Sequence, residues 1–144
     1  MSKALLKKLE QYCAEHGVQA TAPRRYMLEI IAQADLPLTA YGALDQLGQK
    51  LDKPNPPTAY RALDFLSKHG FIHRIESLNA YIACDADHNH RGSQFMICDG
   101  CTRVFEAHLC HLPPALEKQT ADNGFHVSHW NVEIHGQCSE CAGK

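Results

Sequence analysis

The 144-residue sequence predicts an α+β chain built from two modules. Three observations point there. Apolar residues recur at helical spacing as far as Gly70 and then alternate in two short runs. Six of the seven cysteines and seven of the ten histidines lie after residue 80. Charge divides at the same place: residues 1–80 hold ten Lys/Arg against eight Asp/Glu, residues 81–144 four against eight. A mildly basic helical module thus precedes an acidic module rich in metal-ligand side chains. With 44% hydrophobic and 21% charged residues, the chain can bury an ordinary core. The net charge of -2 does not by itself announce a nucleic-acid binder.

The elements follow in order. Leu5, Leu6, Leu9, Tyr12 and Cys13 form the apolar stripe of a first helix, which Gly17 stops. Thr21 offers the N-cap of a second helix with Pro23 in its first turn, and Met27, Ile30 and Ile31 form its stripe. Asp35-Leu-Pro-Leu is a break. Thr39 caps a third helix carrying Ala43, Leu44, Leu47 and Leu51. Lys53-Pro-Asn-Pro-Pro reads as a rigid connector, with Thr58 at the mouth of a fourth helix. That helix buries Ala62, Leu63 and Leu66 and closes at Gly70. Phe71-Ile-His-Arg-Ile and Ala80-Tyr-Ile-Ala then alternate around Ser77-Leu-Asn, the signature of a hairpin. Helices followed by such a hairpin describe a winged helix-turn-helix with the fourth helix as DNA reader. A protein-interaction domain has the same outline.

The fourth helix keeps Tyr60, Arg61, Asp64 and Lys68 off its apolar stripe. Arginine can grip guanine through two bonds, and tyrosine can meet a thymine methyl or a phosphate. Both sit in the first turns, where a reading helix touches base edges. An exposed arginine is equally an ordinary solvated charge.

The second module carries the chemistry. Cys98-Asp-Gly-Cys101 lies between two strand-like runs, 93–97 and 102–106, and Cys138-Ser-Glu-Cys141 closes the chain. Two such pairs supply the four thiolates of a closed structural zinc site, stapling segments 36 residues apart. An iron centre uses the same ligands, and two separate redox pairs have the same spacing. Further ligand types remain: His73 on the first hairpin strand, Cys84 just past the second, His88 and His90 after it, and Glu106 at the end of a strand. A site drawn from such scattered positions fills only in one arrangement of the modules, so binding there would select a shape. His108, Cys110, His111, His126, His129 and His135 leave a third metal site open. His16 and His69 read as surface residues at helix ends, and Cys13 as core. No apolar run approaches the roughly 20 residues of a membrane span. The N-terminal Met-Ser-Lys-Ala-Leu-Leu-Lys-Lys lacks the apolar stretch of a signal peptide. The expectation is a cytoplasmic protein, a compartment where cysteines serve metal more often than disulfides.

Taken in order, Pro57-Thr-Ala-Tyr-Arg-Ala-Leu-Asp-Phe-Leu66, Gly70-Phe-Ile-His73, Ile97-Cys-Asp-Gly-Cys101 and the pair Cys138 and Cys141 resemble the ferric uptake regulator family. The likeness is greatest to its zinc uptake regulator branch. Thr21-x-Pro-x-Arg25, Thr39-Ala-Tyr41 and His129…Glu133-x-His135-Gly136 support it, and it spans about residues 4–141. The resemblance implies a winged-helix DNA-binding domain over 1–84, a hinge over 85–92, and a small α/β dimerisation and metal-binding domain over 93–144. It implies two zinc ions per monomer. Cys98, Cys101, Cys138 and Cys141 match the structural ligands; His73, Cys84, a linker histidine and Glu106 match the regulatory ones. This linker is one residue shorter than in the branch, which leaves the linker ligand open between His90 and His88; His90 is preferred as nearer the expected distance to Cys98. Tyr41 and Arg61 match base-contacting positions, and Tyr60 and Arg24 complete the DNA-facing set. Pro113 stands where many iron-branch members place a carboxylate for a third site.

The function so implied is a zinc-responsive repressor. When zinc-loaded it would bind A/T-rich palindromic operators of zinc-uptake genes as a homodimer, with no small-molecule substrate and no membrane partner. An iron-, manganese- or peroxide-sensing regulator of the same family is the alternative; the soft thiolate of Cys84 favours zinc. An enzyme is not expected. The zinc-deaminase pattern is absent, since no His-x-Glu occurs and neither cysteine pair follows a proline.

Overall fold

The computed structural model describes residues 2–84, 92–107 and 111–143. The chain divides into two units, Met1–Asp87 and His88–Lys144. His88, His90, His108, Cys110 and most of the expected hinge lie outside the described residues.

The first unit runs α1 (Ser2–Glu15), α2 (Ala22–Gln33), β1 (Leu38–Thr39), α3 (Ala40–Leu47), α4 (Pro56–Lys68), β2 (Ile72–Ile75) and β3 (Ala80–Ala83). Its core is the set of stripes read from the sequence. Leu5, Leu9 and Cys13 of α1 meet Met27, Leu28, Ile30 and Ile31 of α2, Ala43 and Leu47 of α3, and Ala59, Ala62, Leu63 and Leu66 of α4. Each fully buried Leu or Ile stabilises by about 1.5–3 kcal/mol relative to its exposed state.

The helix ends follow local chemistry. Thr21 and Thr39 cap α2 and α3, accepting from the Arg24 and Gly42 amides. The end of α4 is a complete Schellman closure: the Gly70 amide donates to Ser67 and the Phe71 amide to Leu66. Gly70 sits at φ +79°, a conformation that costs glycine nothing.

The first unit differs from the expected elements in three places. The helix α4 begins inside the proline run, with Asn55 as its N-cap and Pro56 and Pro57 in its first turn. Proline fits there because first-turn amides have no intrahelical partner to lose. Thr58 is thus inside the helix, and its amide and hydroxyl both donate to Asn55 Oδ1, at 2.9 and 2.6 Å. Leu51 lies beyond the end of α3. Residues 38 and 39, read as part of a break and a cap, form β1 and pair antiparallel with β3. The hairpin thus becomes a three-stranded sheet in the order β1-β3-β2, completing a winged helix-turn-helix.

The second unit contains β4 (Gly92–Cys98), β5 (Val104–Ala107), α5 (Pro114–Asp122), β6 (Trp130–Gly136) and α6 (Ser139–Ala142). The sheet order is β5-β4-β6, with β4 antiparallel to β5 and parallel to β6. Thr102 and Arg103, expected in a strand, belong to the turn before β5; Thr102 takes φ +60°. Among the described residues this unit buries only Phe95, Ile97 and Cys98 as apolar side chains. Gly92 lies under the Trp130 ring: a Cβ there would stand 1.8 Å from Trp130 Cε2. Among the described residues no helix is long and apolar enough to cross a membrane.

Candidate metal centre and nucleic-acid interface

Cys98 ends β4, and the turn that follows carries Cys101 back beside it. The Cys98 amide donates to the Arg103 carbonyl and the Thr102 amide to the Cys98 carbonyl, both at 2.9 Å. Cys138 is the N-cap of α6, and Cys141 follows on the same helical turn, which projects both sulfurs to one side. The Asp99 amide donates to Gly136 at the end of β6 (2.7 Å), tying the first knuckle to the strand that delivers the second. Gly100 leaves the necessary room, since a Cβ there would come within 3.0 Å of Cys141 Sγ.

The four sulfurs all lie within 4.8 Å of one another, with Cys101 and Cys138 Sγ 3.8 Å apart. Four thiolates at roughly 2.3 Å from a central ion stand roughly 3.8 Å from each other, so the geometry fits a tetrahedral zinc. The thiols are already unequal. Backbone amides of Cys138, Cys101 and Gly100 favour the Cys98 thiolate and bring its pKa down to about 6, against the opposing effect of burial. The Cys138 amide reaches Cys98 Sγ at 3.3 Å. Hydrogen bonding to Cys98, then to Cys138 and Cys101, keeps the Cys141 proton in place and pushes its pKa up to about 12. All described cysteines are free of disulfides.

His73 and Cys84 come from the winged-helix unit. His73 pairs with Ile82 across the hairpin, and the Cys84 amide extends the same ladder to the Phe71 carbonyl. The two strands bring a His73 ring nitrogen and Cys84 Sγ within 4.8 Å, a pair able to share one ion. Glu106 lies on β5 of the second unit, opposite Phe95. His135 lies 3.5 Å from Asp99 and 3.6 Å from Glu133. His111, His126 and His129 join no cluster of metal-ligand side chains among the described residues.

The winged-helix unit presents Tyr60, Arg61, Asp64 and Lys68 to solvent along α4. Tyr41, in the first turn of α3, is 81% exposed. Arg24 is held differently: its guanidinium lies 3.7 Å over the Phe65 ring, and Nη1 donates to the Gln19 carbonyl at 2.7 Å. It borders a shallow cleft of about 320 Å³ shared with Thr21, Thr58 and Arg61. Both expected surface histidines partner Tyr12: His16 from the next helical turn, and His69 from a position remote in sequence. His69 Nδ1 is 2.6 Å from the Tyr12 hydroxyl, and the His16 ring stacks on Tyr12 at 4.0 Å. Burial, then the charges of Lys68, His16 and Arg24, lower the His69 pKa. Burial raises that of Cys13, partly offset by Arg24, in keeping with a core thiol.

The second unit leaves an apolar row across its sheet. Phe105, Met96 and Ile134 are register partners on β5, β4 and β6, at 42%, 48% and 56% exposure. On the same strands Gln94 Nε2 and Trp130 Nε1 are buried with no hydrogen-bond partner among the described residues.

Residues 15–135 match the model of the ferric uptake regulator family. The zinc uptake regulation protein of Escherichia coli K12 is 36% identical over 141 residues, covering 97% of this chain and 82% of that protein. The structure of a zinc uptake regulator complexed with zinc and DNA superposes with a TM-score of 0.89 at 34% identity, covering 99% of this chain and 96% of the other. That of holo XcZur gives 0.86 at 36% identity, covering 98% and 99%.

Proposed function

Because the chain belongs to the ferric uptake regulator family, we propose that it is a zinc-responsive transcriptional repressor. Zinc-loaded, it binds operators of zinc-uptake genes as a dimer. The observation that carries this reading is the whole-chain likeness to a regulator complexed with zinc and DNA. The protein is a DNA-binding regulator and not an enzyme. It works in the cytoplasm, where its operators are.

Cys98, Cys101, Cys138 and Cys141 hold a structural zinc; their spacing and donor set support that. His73, Cys84, Glu106 and a linker histidine, His90 in preference to His88, hold a second, regulatory zinc. The proximity of His73 to Cys84 supports the part of that set on the winged-helix unit. Zinc bound there ties together residues distant in the chain, and so favours one shape of the protein. DNA must then tighten zinc binding by the factor with which zinc tightens DNA binding.

Arg61, Tyr60 and Tyr41 read the A/T-rich palindrome, and their exposure supports this. Arg24 lies at the margin of that surface and orders it by bracing the start of α2 on Phe65. A second copy of the chain covers the apolar row of Phe105, Met96 and Ile134, which a lone copy leaves in water.

Cys84→Ser tests the regulatory assignment. The variant remains a folded dimer and loses zinc-dependent DNA binding, read by gel shift against buffered free zinc. An unchanged zinc response removes Cys84 from the site.

A further inference from the structure

We propose that Arg74, on the first strand of the wing, takes a DNA backbone phosphate when α4 docks, and that Glu76 holds it until then. The inference rests on the DNA-binding reading above.

Arg74 is the one Lys or Arg between residues 71 and 84. It pairs with Tyr81 across the hairpin, so the two side chains share a face of the sheet. That face packs on the helical core through Ile72 and Tyr81, while Arg74, near the turn, reaches solvent. Burial raises the pKa of the Tyr81 hydroxyl first of all; Arg74 opposes the shift, while Asp64, Tyr60 and Glu76 add to it. Tyr81 therefore lies within electrostatic reach of both the reading helix and the wing arginine.

The guanidinium is already oriented. Nη1 lies 3.3 Å from Glu76 Oε2, and Nη2 donates to Asn79 Oδ1 at 2.8 Å. Asn79 adopts φ +49° in the turn, a conformation asparagine tolerates well. The ion pair is weak, because its side chains are 45% and 59% exposed and water screens it. A phosphate offers the same planar fork a stronger, charge-assisted pair. Exchanging Glu76 for phosphate therefore costs little.

The test uses zinc-loaded, full-length protein on an operator duplex and on an unrelated duplex, titrated between about 50 and 200 mM salt. Arg74→Gln lowers the slope of log affinity against log salt by about 0.9 for each winged-helix unit bound. The wild-type advantage then shrinks by about 3.5-fold per unit over that range. The loss is equal on both duplexes, because phosphate contacts carry no sequence information. Arg74→Lys keeps the slope, and Glu76→Gln binds both duplexes more tightly. A wild-type slope in Arg74→Gln, with or without a lower melting temperature, overturns the proposal and makes Arg74 a pin of the hairpin. Loss confined to the operator, or weaker binding by Glu76→Gln, overturns it as well. If wild-type protein binds neither duplex, the DNA-binding reading itself falls, an outcome distinct from a bound wild type with an unaltered variant.

Discussion

Replacing Cys98 by serine should separate the two units energetically. Among the described residues the second unit buries two large apolar side chains, Phe95 and Ile97, besides Cys98 itself. At about 1.5–3 kcal/mol each, they supply about 3–6 kcal/mol, too little to order a unit of this size. A structural zinc contributes about 10–16 kcal/mol in small metal-folded domains. Cys98 also accepts the Cys138 amide, so the substitution removes a ligand and loosens the second knuckle together. The first unit keeps its own core from Leu5 to Ile72 and needs no metal. Hydrogen exchange read by mass spectrometry distinguishes the two. In Cys98→Ser, amides of β4, β5 and β6 should exchange on the order of 100-fold faster or more, equivalent to about 2.7 kcal/mol. Those of α2 and α4 should keep wild-type protection. Wild-type protection of β4 and β6 in the variant would refute the view that metal orders this unit.

Two further predictions concern the same unit. Gly92→Ala drives a methyl into the Trp130 ring, which must retreat from a 1.8 Å overlap. The cost is about 1–3 kcal/mol of overpacking, and since Trp130 is the one tryptophan, its fluorescence reports the movement directly. Unchanged emission and melting would show that the strands yield instead. Zinc affinity should rise with pH, because the ion must displace the Cys141 proton, held up to a pKa of about 12. The dependence should steepen below about pH 6, where Cys98 takes up its own proton; competition with a chelator across pH 5–9 would show it, and a flat profile would contradict the assignment.

Much of this molecule is written locally. The caps at Thr21 and Thr39, the closure at Gly70 and the hairpin after it depend on neighbours within a few residues, and each is legible in the sequence. So are the cysteine knuckles, because a two-residue gap fixes where both sulfurs point. What stayed hidden depends on distant partners. A two-residue strand has no periodicity, so β1 exists only through β3. The proline run looked like a connector because proline also begins helices, and Asn55 decides which. Nothing near His69 announces Tyr12, which is distant in sequence, and Gly92 looks ordinary until Trp130 is laid over it. Of the residues proposed to face DNA, Tyr60 and Arg61 are legible as an exposed stripe on α4, whereas Tyr41, on α3, enters through the family resemblance. Arg24 joined them by residue type alone, whereas its place over Phe65 is a tertiary fact.

The central claim is that zinc gates DNA binding. It is tested most directly by a gel shift at buffered free metal, using protein that retains its structural zinc and an A/T-rich palindrome from upstream of a zinc-uptake operon. Zinc, iron(II) and manganese(II) are titrated separately. The account predicts a shift at the lowest free concentration with zinc. A shift with iron or manganese alone, or none with any metal, would contradict it.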